Sequence, residues 1–115
     1  MPGFERSERL RRRSEFQHVY DRGIRVHGRY ATVFLLPREQ PGGRLGIAAT
    51  RKLGSAVRRN RAKRLIREIF RRNKAPGFDL VVVPRRELLD ASLTALEADY
   101  RNAVERGLRQ SRRRR

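Results

Sequence analysis

The chain has 115 residues, the size of one domain, and its 30 Lys and Arg against 12 Asp and Glu give a formal net charge of +18. It has no cysteine, which excludes thiol catalysis, Cys-based zinc sites and disulfides, and no apolar run long enough for a membrane span or a secretory signal. With 37% hydrophobic residues it can still bury a modest core, and so large a positive charge indicates a polyanionic partner.

A short helix is the first predicted element, at about residues 15–21. Ser14 and Gln17 have the spacing of a capping box, and Gly23 is suited to end the helix. Three apolar side chains share one face of this helix, and they are Phe16, Val19 and Tyr20.

Strands are predicted from β-rich and apolar runs. Residues 30–36 form one run, which a proline ends, and the turn signal at 41–43 leads into a strand at 45–50 that would pair with the first as a hairpin. Residues 24–26 are a candidate for a short edge strand. Residues 78–83 are apolar throughout, which indicates a strand buried on both faces in a parallel pairing.

More than half of the excess charge lies in residues 51–74, which hold 11 bases and one acid, Glu68. This segment nevertheless has the period of an amphipathic helix over about 56–73, with Ser55 as its N-cap and Pro and Gly after its end. Its apolar stripe consists of Ala62, Leu65, Ile66, Ile69 and Phe70. Its opposite face carries Asn60, Arg64, Arg67 and Arg71, flanked by Arg61 and Lys63.

A last helix follows, with Asp90 as its predicted cap. Its apolar stripe consists of Leu93, Leu96, Tyr100, Ala103, Val104 and Leu108. The elements then run in the order αβββαβα within a single domain at residues 14–108. Residues 1–13 and 109–115 are predicted to be basic tails with nothing to bury.

The basic helix carries the sequence Arg-Asn-Arg-Ala-Lys-Arg-Leu-Ile-Arg at residues 59–67. This stretch resembles the signature R-N-R-x-K-R-x-x-R of the bacterial ribonuclease P protein subunit and meets every fixed position of it. Flanking segments are similar to the same family in order and spacing, and they are the first helix at 16–23, the strand at 30–36, the lead-in at 50–57 and the last strand at 79–84. The resemblance covers about residues 10–108.

The resemblance implies a fold. It is a two-layer α/β (α+β) sandwich with a sheet of about four mostly antiparallel strands, similar to domain 2 of ribosomal protein S5. It also implies that the strand–helix–strand unit within residues 45–83 crosses over with a left hand, although such units are right-handed in about 98% of cases. That hand presents the basic face of the helix outward.

The resemblance further implies that the basic helix binds a catalytic RNA. Arginine suits this role because its planar guanidinium grips phosphate through two hydrogen bonds and stacks on bases, and Asn60 can both donate to and accept from a base edge. The candidate residues are Arg51, Lys52, Arg59, Asn60, Arg61, Lys63, Arg64, Arg67 and Arg71. The alternative is a solvated charged face, which the near absence of acids disfavours.

In this family the 5′ leader of precursor tRNA lies in a cleft between the first helix and the sheet. The matching residues are Phe16, Tyr20, Thr32, Phe34, Ala48 and Thr50. From the residues alone, aromatic side chains four apart on a helix favour a core. The resemblance favours leader stacking for Tyr20 and Phe34, and it leaves Phe16 between the wall of the cleft and the core.

No set of acids and histidines in the chain has the spacing of a hydrolytic or metal site, so we expect no catalytic residue and no metal ligand in the protein. The resemblance implies instead that an RNA subunit hydrolyses the phosphodiester, with Mg²⁺ bound mainly by that RNA. The chain would then be the protein subunit of a cytoplasmic ribonuclease P, one per catalytic RNA, which removes the leader of precursor tRNA and has no membrane partner.

Two other classes of protein remain as alternatives. A ribosomal or general RNA-binding protein shares the charge and the size, but not the full signature helix together with an aromatic cleft. A DNA-binding module is disfavoured because the sequence lacks helix-turn-helix spacing, dimerisation heptads and zinc ligands.

Overall fold

The fold is seen in a computed structural model that describes residues 8–114. Within these residues the helices and strands are, in chain order, α1 (Arg13–Arg22), β1 (Ile24–His27), β2 (Ala31–Pro37), β3 (Arg44–Ile47), α2 (Ala56–Arg72), β4 (Phe78–Pro84) and α3 (Leu93–Arg113). Short 3-10 helices at Arg51–Leu53 and Arg86–Asp90 precede α2 and α3. This is the predicted αβββαβα order. No helix between residues 8 and 114 is long and apolar enough to cross a membrane.

The four strands form one sheet in the order β1-β2-β4-β3. β1 and β2 form an antiparallel hairpin, β2 and β4 are antiparallel, and β3 and β4 are parallel. The predicted hairpin between the strands at 30–36 and 45–50 is therefore wrong, because β4 lies between them. β4 is apolar on both faces and pairs with β2 on one side and β3 on the other. The sequence of residues 30–50 alone does not reveal this insertion. The parallel pairing of β4 and the edge position of β1 are confirmed.

The crossover from β3 through α2 to β4 is left-handed. Ala48 donates its N–H to the Val82 carbonyl oxygen at 3.0 Å, so the Val82 C=O points towards β3. The Val82 side chain packs in the core with Ile66 and Ile69 of α2. For an L-residue in a strand these two directions fix the hand: viewed from α2 with both strands running upward, β4 lies to the left of β3. The expected exception to the right-handed rule is confirmed.

Helices α2 and α3 cover one face of the sheet, and α1 covers part of the other. The alternation along β2 separates the two faces. Buried beneath α2 and α3 are Ala31, Val33 and Leu35, whereas Thr32, Phe34 and Leu36 are only partly buried on the α1 side. The α1 side holds a small second cluster, whose buried members are Leu10, Val19 and Val81. The sheet face beneath α1 thus stays partly open.

Helix α1 begins differently from the prediction. The carboxylate of Glu15 accepts the backbone N–H groups of Arg11 at 3.0 Å and Arg12 at 2.9 Å. The predicted capping box of Ser14 and Gln17 is wrong because both residues already lie inside the helix, which starts at residue 13. A charged acceptor at a helix N-terminus also benefits from the helix dipole.

The other two long helices are both capped by serine. Ser55 was predicted as the cap of α2, and its Oγ accepts an N–H three residues later at 3.3 Å. The prediction of Asp90 as the cap of α3 is wrong, because Asp90 ends a 3-10 helix and Ser92 Oγ accepts the Ala95 N–H at 3.1 Å. Leu93, the first residue of the predicted stripe, is 39% exposed, so the buried stripe starts at Leu96.

The predicted tails are shorter than expected. Residues 1–7 lie outside the described part of the chain. Leu10 is buried, and its N–H donates to the Leu45 carbonyl at 2.9 Å along the free edge of β3. At the other end α3 continues to residue 113, and Ser111 is buried. The prediction of a tail at 109–115 is therefore wrong for residues 109–113, because the helical period extends past the last large apolar residue.

Helix α3 approaches the sheet closely at Gly107. A Cβ at this position would clash with Leu35 Cδ1, and Leu35 is fully buried. We expect Gly107→Ala to lower the free energy of unfolding by about 1–3 kcal/mol through overpacking, although alanine is the better helix former by about 1 kcal/mol. Urea denaturation measures this change.

The double variant Gly107→Ala/Leu35→Ala tests the cause of that loss. Removing the Leu35 side chain removes the clash, so the double variant should lose less stability than the sum of the single variants. A Gly107→Ala protein as stable as the parent would contradict the close approach.

Candidate nucleic-acid interface

Most basic side chains of α2 lie on the side of the helix that faces away from the sheet, whereas Lys63 and Arg67 border the edge strand β3. Ala62, Ile66 and Phe70 are buried against the core and fix the rotation of the helix. Of the predicted RNA-binding residues on this helix, the exposed ones are Asn60, Arg61 and Arg64, and the half-buried ones are Arg59, Lys63, Arg67 and Arg71. We call this set of seven residues the basic ridge.

Acidic partners divide the ridge into two parts. Arg71 is paired with Glu68, and the neighbouring Arg72 lies 3.7 Å from Glu68 and 3.4 Å from Glu97. In the described part of the chain, the bases at positions 59–64 form no ion pair with an acid. The positive charge available to a polyanion is therefore concentrated in the first half of α2.

The turn before α2 adds two further bases to this half. Thr50 Oγ1 accepts the Lys52 N–H at 3.3 Å and opens the 3-10 helix that exposes Arg51 and Lys52. Gly54 ends it with a φ of 113°, which only glycine adopts without strain. Arg59 Nη1 donates to the Gly54 carbonyl at 3.0 Å, so this arginine also holds the turn in place.

The basic surface also extends around the edge of β3. Arg67 and Lys63 line a crevice between α2 and β3 together with Arg9 of the N-terminal segment. Burial, and to a lesser extent the nearby charge of Arg9, lowers the pKa of Arg67. The sequence analysis missed Arg9 because its position beside α2 results from the pairing of residues 9 and 45, which no local pattern predicts.

Three aromatic rings lie between α1 and the sheet. The rings of Tyr20 and Phe34 meet edge to face with centroids 4.9 Å apart, and Phe16 lies 6.5 Å from Tyr20. All three are half-buried, whereas Val19 on the same helix is fully buried and anchors α1 to the sheet. Burial raises the pKa of the Tyr20 hydroxyl, which keeps it a neutral donor. Rings in this state can pack on protein and still offer a surface for stacking.

The ring of Phe16 is seated directly on the sheet. A Cβ on Gly46 would lie 2.7 Å from Phe16 Cζ, so the ring rests directly on the β3 backbone. Phe16 therefore forms the wall of the cleft and contributes to the small cluster with Leu10. The rings of Tyr20 and Phe34 lie farther along the cleft.

The remaining predicted cleft residues lie on the same face of the sheet or at its end. Ala48 is half-buried and belongs to the cluster around Val81. Thr32 and Thr50 line an open groove beyond the rings, which Arg51 and Lys52 also line. The structure thus brings the predicted cleft residues together, and the groove connects the cleft to the bases before α2.

Besides Arg86, which also lines this groove, the sequence analysis missed three basic residues of this region. Arg85, directly after β4, donates from Nη2 to Thr32 Oγ1 at 3.3 Å and from Nε to the Gly28 carbonyl at 3.2 Å. His27 Nδ1 lies 3.3 Å from the same Thr32 hydroxyl. Arg25 pairs with Phe34 across the β1–β2 hairpin, and cross-strand partners share a face. The sequence does alternate apolar and polar residues along β1, and this alternation was the signal that could have predicted the exposure of Arg25 and His27.

The side chains between residues 8 and 114 do not fit a metal centre. Magnesium prefers carboxylate ligands and needs several oxygens in octahedral geometry. Residues 8–114 contain no group of three or more His, Asp and Glu placed to hold a metal ion. Asp79 and Glu15, two acids on the α1 side of the sheet, are instead bound to arginine.

The chain matches one family model and many curated proteins. The model for "Ribonuclease P" matches residues 4–108. The chain is 46% identical over 88 residues to the "Ribonuclease P protein component" of Thermotoga maritima, which covers 74% of this chain and 75% of that protein. It is 33% identical over 107 residues to the protein of the same name from Clostridioides difficile, covering 90% of this chain and 94% of that protein.

Solved structures agree with these matches. The ribonuclease P protein of Thermotoga maritima superimposes with a TM-score of 0.78 at 38% identity and covers 86% of this chain and 96% of its own. The ribonuclease P protein of Staphylococcus aureus superimposes with a TM-score of 0.77 at 31% identity and covers 85% of this chain and 93% of its own.

Proposed function

The chain belongs to the ribonuclease P protein family, and on that basis we propose that it binds the catalytic RNA of ribonuclease P and the 5′ leader of precursor tRNA. In this role it promotes the endonucleolytic removal of the leader, which gives the mature 5′ end of the tRNA. We further propose that one protein acts per RNA and that the complex works in the cytoplasm.

The observation that carries this proposal is the presence of two different surfaces on one small domain. The basic ridge lies on α2, on one side of the sheet, and the aromatic cleft lies beneath α1, on the other. The groove lined by Thr50, Arg51 and Arg85 joins the two at the end of β4. A protein that must hold a folded RNA and a single strand at once needs two such surfaces.

The two surfaces suit two forms of RNA. Exposed arginine guanidinium groups on a rigid helix can bind phosphates of a folded RNA, each through a pair of hydrogen bonds. Half-buried rings can stack on the bases of a single strand whatever their identity, which suits an enzyme that processes many different leaders. The bases around the groove would hold the backbone of that strand, and they are Arg51, Lys52, Arg85 and Arg86.

The chemical step belongs, in this proposal, to the RNA. The protein residues do not fit a Mg²⁺ site in the described part of the chain, so we assign Mg²⁺ mainly to the RNA subunit. The chain itself contributes positive charge that neutralises RNA phosphates, and a cleft that holds the leader. No side chain of the protein is assigned to the cleavage of the phosphodiester.

Reconstitution tests this function directly. The protein is combined with a bacterial ribonuclease P RNA and a precursor tRNA, and cleavage is followed at a magnesium concentration too low for the RNA alone. We expect the protein to restore cleavage at the mature 5′ end. If it binds ribonuclease P RNA no better than other structured RNAs and leaves cleavage unchanged, the chain is a general RNA-binding or ribosomal protein.

Arg85 offers a separate test of the groove. We expect Arg85→Ala to weaken binding of precursor tRNA by about 1–2 kcal/mol, because it removes a cation that faces the strand beyond the rings. Binding of mature tRNA to the reconstituted enzyme should not change. Filter binding or fluorescence anisotropy with both tRNAs measures the difference.

The matched control for Arg85 is Arg101→Ala. Arg101 is an exposed arginine of α3, on the opposite side of the sheet from the cleft. It removes the same charge from the chain without touching the groove. Equal losses for the two variants would show that only the net charge matters and that Arg85 has no special position.

A further inference from the structure

A single guanidinium joins the sheet to α1. Arg44 of β3 donates from Nε and Nη2 to the two carboxylate oxygens of Asp79 on β4, both at 2.8 Å. Its third nitrogen, Nη1, donates to Glu15 Oε2 of α1 at 3.0 Å. All three nitrogens of this side chain are therefore engaged, two towards the sheet and one towards the helix.

Glu15 is also the residue that caps α1. Its other oxygen, Oε1, accepts the N–H groups of Arg11 and Arg12 at the start of the helix. These backbone hydrogen bonds, together with the charge of Arg44, lower the pKa of Glu15 despite its partial burial. The first turn of α1 is thus tied through one carboxylate to Arg44, and through Arg44 to β4.

The four charges of this cluster balance one another. Asp79 is only 5% exposed and has a second arginine, Arg38, with its Nε 3.5 Å away. Two acids and two bases therefore meet within a chain whose net charge is +18. A buried ion pair contributes little net stability, because desolvation offsets the attraction, but it is directional and fixes geometry.

Helix α1 needs such a fixed contact. It has 10 residues, too few to be stable alone, so tertiary contacts must hold it. Its apolar contact with the sheet is small: Val19 is fully buried, whereas Phe16 and Tyr20 are half-buried along the cleft. The apolar contacts across the cleft are those of half-buried rings, Phe16 on the β3 backbone and Tyr20 against Phe34, so a directional contact adds to what fixes its width.

We propose that Arg44 and Glu15 are positioning residues of the cleft: the chain of contacts from Asp79 through Arg44 to Glu15 holds α1 at the distance from the sheet at which Phe16, Tyr20 and Phe34 can stack on a single strand. This inference rests on the proposed role of the cleft in leader binding. Phe16 directly follows Glu15, and Tyr20 lies one turn further on, so a shift of the first turn moves both rings.

Glu15→Gln is the sharpest test. The glutamine oxygen can still accept an N–H at the start of α1, but the amide nitrogen that replaces Oε2 is a donor and cannot accept from Arg44. The link to the helix is therefore lost while the Arg44–Asp79 pair remains. We expect the Kd for precursor tRNA to rise about fivefold, since part of the stacking is lost. The Kd for mature tRNA, the binding of the catalytic RNA and the cleavage rate at saturation should stay unchanged.

The matched control is Glu105→Gln, which changes the net charge by the same amount at an exposed position of α3. Temperature is kept well below the Tm of each variant, so that unfolding does not enter. The contact between the Tyr20 and Phe34 rings is followed in the free protein by NMR, and we expect it to weaken in Glu15→Gln and not in Glu105→Gln. A ring contact and a precursor Kd that both match the parent would overturn the proposal.

A double variant separates this inference from the function on which it rests. In a Tyr20→Ala background, Glu15→Gln should add less to the loss of leader binding than it does in the parent, because part of its effect acts through the Tyr20 ring. Fully additive losses would mean that Glu15 acts elsewhere. If Tyr20→Ala itself shows no leader-dependent loss, the leader function is wrong, and the NMR ring contact alone decides whether Arg44 and Glu15 position α1.

Discussion

Replacing Arg64 by alanine is expected to weaken binding of the protein to the catalytic RNA by about 1–3 kcal/mol, because it removes charge-assisted hydrogen bonds from the guanidinium to phosphate. Arg64 is exposed on α2 and forms no ion pair within the described residues, so its charge is available to a phosphate. Arg67→Ala should act in the same direction. Each variant should also reduce the slope of log K against log salt by a little less than one, which a salt series measures.

The control for these variants lies on the same helix. Arg72 is also exposed, but its guanidinium lies near both Glu68 and Glu97, so its charge is compensated inside the protein. Arg72→Ala should change neither the affinity nor the salt slope by a comparable amount. Equal losses at Arg64, Arg67 and Arg72 would show that diffuse charge is sufficient and that the basic ridge is not a specific site.

The helices of this protein could be predicted because their signals are local. Ser55 and the apolar stripe of α2 lie within one stretch of chain, and helical spacing alone separates its buried and basic faces. The strand partners could not be predicted in this way. Nothing in residues 30–50 shows that β4 inserts between β2 and β3. The central position goes to the strand whose two faces are both buried, and that strand is β4, which lies outside this segment.

The same distinction holds for the candidate site. The residues of the ridge follow from one helical period, and the structure brings them to one surface. Arg9, Arg85 and His27 reach the basic surface or the groove from three distant segments. Arg44 is a similar case, because its partners Asp79 and Glu15 are 35 and 29 residues away. Side chains whose role depends on such long-range contacts give no periodic signal.

Loss of the Tyr20 or the Phe34 ring should weaken binding of the leader and leave the other RNA contacts unchanged. We expect Tyr20→Ala and Phe34→Ala to raise the Kd for precursor tRNA about five- to a hundredfold, since stacking contributes about 1–3 kcal/mol per base. Mature tRNA, which lacks the leader, and assembly with the catalytic RNA should be almost unaffected, because the rings lie on the opposite side of the sheet from the basic ridge. Binding of both tRNAs to the reconstituted enzyme measures this.

Stability must be measured beside binding, because the two rings touch at 4.9 Å and their removal can also destabilise the fold. Tyr30→Ala is the matched control: Tyr30 is a half-buried tyrosine that packs on the α2 and α3 side of the sheet. It should lower the Tm without a leader-dependent loss. If Tyr20→Ala and Phe34→Ala behave in the same way as Tyr30→Ala, with stability and assembly lost together, then the rings belong to the core and the leader binds elsewhere.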